Sequence, residues 1–487
     1  MDDRRYNRRG LLKLVGVGSA VVAGAALGIR NADFSDTEDN RRQPTSTEPT
    51  ATSGGQQTVT GTGTPVETDS TGTPSGPPEI VNVRDFGAKA DGTTDDTQAV
   101  LNAIKAVASG GTVVLPTGTI RISAHNNGYR SDETRAAVPI ERPDDGLIIE
   151  GQGSGPFGTR LVMAPDHEAN HIGLEVASQS SGDSGGEHSG LTIRNLTIDG
   201  QWWEQTATES GFPNGFGVNI RGQSREVSFD NCRFQNWATN GGLMAAAGIR
   251  ITDCVFRGNG YGVSQFGFYG HGFNANPGNQ GGEIVVKECA FLNNTGEGVD
   301  VKSGTVRMER CLFRSNGWGI KLNPMTEEVL VRHCGMFDSG AMHIHCVPTG
   351  DKETGTLRLE SVVLNGSPWA AIDLNRRPGT LEGTNILVKN ANLDNERDGA
   401  LYVNAYSDEG DRVTDIGMLS VHDSVGNALS FKHATGSIET LNTGLDDIGS
   451  VADLTIGATK DDDPISVSVP SLSVIDAIWE YDEYIHD

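Results

Sequence analysis

Residues able to move protons or hold an anion recur at matching places in four short runs. These are GEGVDVKSG (296–304), GWGIKLN (317–323), SGAMHIHC (339–346) and AAIDLN (370–375). Successive side chains of a strand point to opposite faces. If Val299 and Val301 face inwards, Asp300 and Lys302 face outwards. Continued through the other runs, the alternation turns Lys321 and Asn323, His343 and His345, and Asp373 and Asn375 outwards. Tyr402 and Asn404 follow in the next run, and Arg376 and Arg377 lie just past Asn375. The expected layout is a column of Asp300, Lys321, His343 and Asp373, with Lys302, Asn323, His345 and Asn375 beside it.

This column suits one kind of chemistry better than another. Glycoside hydrolysis needs two carboxyl groups about 5–9.5 Å apart. Asp300 and Asp373 are three repeats apart, roughly 14 Å at the spacing of neighbouring strands. Removal of a proton beside a carboxylate needs a base, together with cations or Ca²⁺ to neutralise the developing charge. A lysine crowded by other cations has its pKa lowered enough to serve as that base. Lys321, flanked by His343 and Lys302, is the candidate base, and His343 the proton donor. Lys302 and Arg376 are the carboxylate binders. Asp300 is the candidate Ca²⁺ ligand, or the group that orients the lysine. Asn323, His345, Asp373 and Asn375 would contact substrate. The competing reading is a solvated face with cross-strand charge pairing.

The elements that must position these residues are legible as a repeat. An alternating run ends in cysteine at VSFDNC (Cys232), IRITDC (Cys254), VVKEC (Cys289), VRMERC (Cys311) and VLVRHC (Cys334), and LTIRNL puts Leu196 in the same place. Phe follows two residues later at 234, 256, 291 and 313, then Asn and Gly, then the second run. Spacings of 22 or 23 residues (232 to 254, 289 to 311, 311 to 334) built from short strands and Gly/Asn turns predict a solenoid of β-coils. One coil cannot bury its own apolar face, so the coils must stack. Five of the six cysteines share one repeat position and Cys346 falls on an inward one, which predicts stacked free thiols rather than disulfides. Aromatic insertions at 201–217 (Trp202, Trp203, Phe212, Phe216) and 264–282 are candidate walls beside the outward face.

The 487 residues carry a net charge of −26, with ten lysines against 28 arginines. That excludes a nucleic-acid partner, whose phosphates would be repelled. It is also the balance of a protein kept soluble in concentrated salt, and we read the chain as halophilic. Residues 1–32 hold Asn7-Arg8-Arg9-Gly10-Leu11-Leu12-Lys13 before an apolar run from Leu14 to Ile29, which resembles a twin-arginine export signal. An exported, extracellular or cell-surface protein without stable membrane insertion after signal removal is expected. Residues 33–79, rich in Thr, Ser, Gly and Pro, read as a stalk. Sequons at Asn195, Asn293 and Asn365 fit export.

Residues 80–125 contain RDFGAKADGTTDDTQAVLNAI followed by GGTVVLP. They closely resemble the amino-terminal cap of the pectate lyase superfamily. The resemblance implies an all-β, single-stranded right-handed parallel β-helix over 126–440, with a capping α-helix before it and an acidic tail over 441–487. It also implies a function among polysaccharide lyases, glycoside hydrolases, uronate epimerases and phage tailspikes. Asp91, Asp95 and Asp96 are read as turn and helix caps. A second resemblance is local: Phe266-Gly267-Phe268-Tyr269-Gly270-His271 is similar to the Tyr-Gly-Phe-Asp-Pro-His motif of mannuronan C5-epimerases, with His271 aligned and Tyr269 in place of Asp. It adds Tyr269 and His271 to the substrate-binding set. The expected activity is β-eliminative cleavage or binding of an acidic, uronate-containing polysaccharide. The alternatives are a non-catalytic glycan-binding surface protein and a C5-epimerase.

Overall fold

The computed structural model describes residues 77–467. Excepted are 125–128, 131–133, 141–145, 154–157, 168–169, 177–189, 207–214, 221–224, 246–247, 261–269, 276–282, 347–354, 376–378, 396, 405–411, 433, 446–448, 451–452 and 461–462. The signal segment, nearly all of the stalk, Tyr269, Arg376, most of the second aromatic insertion and the last twenty residues lie outside the described set.

Among the described residues, all strand pairings but one, Tyr129–Arg130 with Thr134–Ile140, are parallel, and the parallel strands pair with their counterparts one coil away. Three ladders result. The first sheet holds the runs leading to the cysteines, such as Ile249–Thr252 and Glu283–Lys287. The second holds the short strands after them, such as Val255–Arg257 and Ala290–Leu292. The third holds the runs bearing the candidate residues and extends from Thr134–Ile140 to Gly449–Ser450. The stack is a right-handed parallel β-helix.

Left-handed backbone marks the corner between the first two sheets. Asn195, Asn231, Asp253, Glu288, Arg310 and His333 have φ between 50° and 59°, and the residue after each is Leu196 or a cysteine. Turned inwards there, Cys232, Cys254, Cys289, Cys311 and Cys334 are buried free thiols, and backbone N–H groups of Cys232, Cys254 and Cys311 donate to the Sγ of the next coil's cysteine at 3.3–3.4 Å. Phe234, Phe256, Phe291 and Phe313 stack with centroids 4.7–5.2 Å apart. At the next corner the buried amides of Asn259, Asn294 and Asn316 form a ladder, each Nδ2 donating to the next Oδ1 at 2.9 Å. Repetition of one coil thus satisfies every member of a column in the same way, which fixes register coil by coil.

At the amino-terminal end, helix α1 (Thr97–Ala106) buries Ala99, Val100, Leu101, Ala103 and Ile104 against the first coil. The three aspartates before it hold backbone. Asp91 accepts from Thr93 and Thr94, Asp95 from Thr97, and Asp96 from Lys89 and Ala90. The amides of Thr94 and Thr93 keep the Asp91 carboxyl well below the usual range. At the other end regular strands continue past residue 440, through Ala434–Thr443 to Asp453–Lys460, so the coils run further than the expected boundary of the tail.

Candidate active site

The outward face of the third sheet is a grid whose rows are coils. Register puts Asn274, Asp300, Lys321, His345, Asp373, Tyr402 and Ser430 in one column. His345, not His343, is therefore the histidine beside Lys321. To one side His271, Glu297 and Trp318 occupy neighbouring coils, and to the other stand Lys302 and Asn323.

Two buried carboxylates form the floor. Asp300 has no solvent exposure and Glu297 only 2 %. Asp300 Oδ2 meets Lys302 Nζ at 2.5 Å and Lys321 Nζ at 3.5 Å, while Asn323 Nδ2 donates to its Oδ1 at 2.6 Å. Glu297 Oε2 contacts His271 Nδ1. Its Oε1 contacts Lys321 Nζ at 3.1 Å and lies 3.8 Å from His345 Nε2. His271 Nε2 stands 3.6 Å from Asp300 Oδ2, beyond normal hydrogen-bond length. The His345 ring stacks on Trp318, with centroids 5.4 Å apart. The groups nearer solvent are the cations, with the Lys302 side chain 36 % and that of Lys321 18 % exposed. A chain of net charge −26 thus shows at this point two ammonium groups over an acidic floor, with the His345 ring only slightly exposed and His271 buried beside the carboxylates.

The charges are mutually reinforcing. Burial pushes the Glu297 carboxyl up, but the charge and hydrogen bond of His271, with help from His345 and Lys321, outweigh it and hold the group well below its ordinary range. Burial pushes Lys321 down, yet Glu297 and then Asp300 outweigh it and raise its pKa. Lys321 is an ammonium ion at neutral pH. This corrects the expectation of a lysine depressed by neighbouring cations: its nearest charges are carboxylates.

His343 also departs from expectation. It is fully buried, its Nδ1 lies 2.8 Å from Ser339 Oγ, and burial pushes its pKa down to about 3. The cause is a break in alternation where the chain enters the third sheet. The residue before the first inward aliphatic also points inwards, and it is Gly298, Gly319, His343, Ala371 and Ala400 in successive coils. A Cβ on Gly298 would lie 2.6 Å from the core ring of Phe313. The same break turns Glu297 outwards, although unbroken alternation from Val299 would turn it in.

Residues 80–133 match the family described as rhamnogalacturonase A/epimerase, pectate lyase-like, and residues 182–354 match the right-handed β-helix region. In structure, the A-module of mannuronan C-5 epimerase AlgE6 from Azotobacter vinelandii superposes with a TM-score of 0.55 at 16 % identity, over 78 % of this chain and 99 % of that one. These findings support the pectate lyase superfamily, with a pectate lyase-like amino-terminal segment leading into a right-handed β-helix. Relatives by sequence include two Azotobacter vinelandii proteins. Alginate lyase 7 is 34 % identical over 151 residues, and mannuronan C5-epimerase AlgE2 is 28 % identical over 249. These matches cover 31 % and 46 % of this chain but only 16 % and 23 % of the relatives' lengths.

The structure brings Asp300, Lys302, Lys321, Asn323, His345 and His271 together and adds Glu297 and Trp318. Asp373 lies one coil beyond His345, where Arg397 Nε donates to its Oδ2 at 2.7 Å. The Arg397 guanidinium lies 5.5 Å from the ring centroids of Trp369 and of Tyr402. Asn375 is in the strand Ile372–Asn375, its side chain outside the described set. Trp202 and Trp203 of the first insertion pack edge to face in a short turn, and Phe216 joins the third sheet.

His271, Glu297 and Asp300 bring ligand-type atoms within 4.8 Å of one another. They do not fit Ca²⁺, which takes six to eight oxygen ligands. The carboxylate oxygens here already face Lys302, Lys321, Asn323 and His271, and a dication would have to displace two ammonium groups.

Proposed function

We propose that this protein acts on a mannuronate- or guluronate-type polyuronate, beginning with removal of the proton at C5. The observation that carries the reading is Glu297, a buried carboxylate with His271 against one oxygen, Lys321 at 3.1 Å on the other, and His345 Nε2 3.8 Å from that second oxygen. In the neutral tautomer that donates Nδ1–H to Glu297, His271 presents Nε2 as the base. His345, held on Trp318 and facing the other oxygen, is the proton donor. Lys321 and Lys302 receive the substrate carboxylate and lower the energy of the carbanion that forms beside it. Hydrolysis is disfavoured because both floor carboxylates are buried and ion-paired, leaving neither to protonate a leaving oxygen or activate water.

The same first step serves two outcomes. Protonation of the departing O4 completes β-elimination, and protonation of C5 from the opposite face completes epimerisation. The names of the relatives, an alginate lyase and mannuronan C5-epimerases, support alginate as the substrate class. The test is incubation of the protein with polymannuronate, alginate and polygalacturonate, following the ultraviolet absorbance of unsaturated uronate and the mannuronate-to-guluronate ratio by proton NMR. Change in either readout on alginate-type polymers supports the proposal. No change in any polymer, with the protein folded, overturns it and leaves a glycan-binding role.

A further inference from the structure

Two amides on the same face are buried without the partners that buried amides require. Asn219 is 1 % exposed, and neither its Oδ1 nor its Nδ2 makes a hydrogen bond among the described residues. Asn274 is 8 % exposed and its Oδ1 makes none. Register places Asn219, Leu243, Asn274 and Asp300 on consecutive coils of the column that carries the reactive cluster. Val218 and Phe273, next to the two asparagines, point into the core, so the amides point out of it. Leu243, between them, is half-buried. Nearly all buried polar groups in folded proteins are paired, and an exception needs a cause.

We infer that Asn219, Leu243 and Asn274 form a neutral sugar-binding extension of the cleft, on the amino-terminal side of the cluster. This rests on the polyuronate reading and adds to it the part of the ligand each coil receives. An amide with donor and acceptor both unused matches a pair of adjacent sugar hydroxyls, and a half-buried leucine matches the apolar face of a pyranose ring. From Asn219 to Asp300 is three coil spacings, about 14 Å. The polymer would lie along the helix axis, its hydroxyls read at Asn219 and Asn274 and its carboxylate held one coil further on by the lysines.

The test exploits a difference between a structural and a ligand-binding amide. Asn219→Leu and Asn274→Leu remove unpaired buried polar atoms while nearly preserving volume. They are expected to leave the melting temperature unchanged or raised. Affinity for polymannuronate, measured by calorimetry with the wild-type protein alongside, should fall about tenfold for each variant. Binding of a uronate disaccharide, too short to span the column, should fall less. Lower melting temperatures in both variants would show that the amides support the fold, and unchanged polymer affinity would show that no sugar meets them. Either result overturns the inference while the C5 chemistry stands. A wild type that binds no polyuronate overturns both.

Discussion

Replacing Glu297 with Gln should disable the cluster and destabilise the protein through one lost charge. The substitution keeps the volume but removes the anion that holds His271, Lys321 and His345. Breaking a buried ion pair costs about 3–5 kcal/mol. Lys321 is 18 % exposed and keeps Asp300 at 3.5 Å, which puts the loss near the lower figure. At about 2.1 cal/mol/K of unfolding entropy per residue over residues 77–467, 3 kcal/mol lowers the melting temperature by roughly 3–4 °C. The sign of the pH dependence is fixed too. The folded carboxyl lies well below its unfolded value of about 4.3, so its stabilisation is complete above that pH and is lost as pH falls through the folded value. The gap between wild type and variant should be full at neutral pH and close in acid. Turnover should fall about 10²-fold or more, as for loss of a group that orients an acid or base. Melting curves from neutral to acid pH with parallel kinetics provide the assay. Equal melting temperatures at neutral pH, or a gap that does not narrow in acid, would refute the electrostatic reasoning.

Other outcomes follow from the same geometry. His343→Gln should leave turnover within about twofold while flattening the acid limb of stability. Its folded pKa of about 3 against an unfolded value near 6.5 means the unfolded chain takes the proton first, a loss on the order of 4 kcal/mol as pH falls between those values. His345→Ala should do the reverse, cutting turnover about 10²-fold and leaving that limb intact. Chelation of divalent cations should change activity less than about twofold, because the cluster's carboxylates are occupied by lysines. Asn294→Ala, which strips partners from the Asn259 and Asn316 amides, should cost about 2–4 kcal/mol by thermal unfolding with no change in substrate affinity.

The fold was legible because the coil repeats its chemistry. The cysteines at one corner, the phenylalanines two residues on and the asparagines at the next corner each mark a column, and spacing alone stacks them. The site was legible only in part, because period-2 alternation was carried through a corner where the backbone breaks it. The inward position before each third-sheet strand is small in most coils, which allows the chain to turn there. His343 occupies that position, so alternation turns it out, and Glu297, which precedes the position in its own coil, is missed altogether. Alignment of Gly298, Gly319, His343, Ala371 and Ala400 as one column carries the missing signal in the sequence itself. Lys321 was found, but its charge state was not, since that depends on Glu297 lying against it. His271, assigned only from a six-residue motif, owes its place to register with Glu297, which no local pattern conveys.

The central claim is removal of a proton from C5 by the cluster around Glu297. Its most direct test is the fate of that hydrogen when the protein acts on polymannuronate in deuterium oxide, with His271→Ala as the comparison. The account predicts that deuterium enters C5, or C5 hydrogen is lost with chain cleavage, in the wild type, and that both are abolished in the variant. Retention of the original C5 hydrogen in every product, or undiminished exchange by His271→Ala, would contradict it.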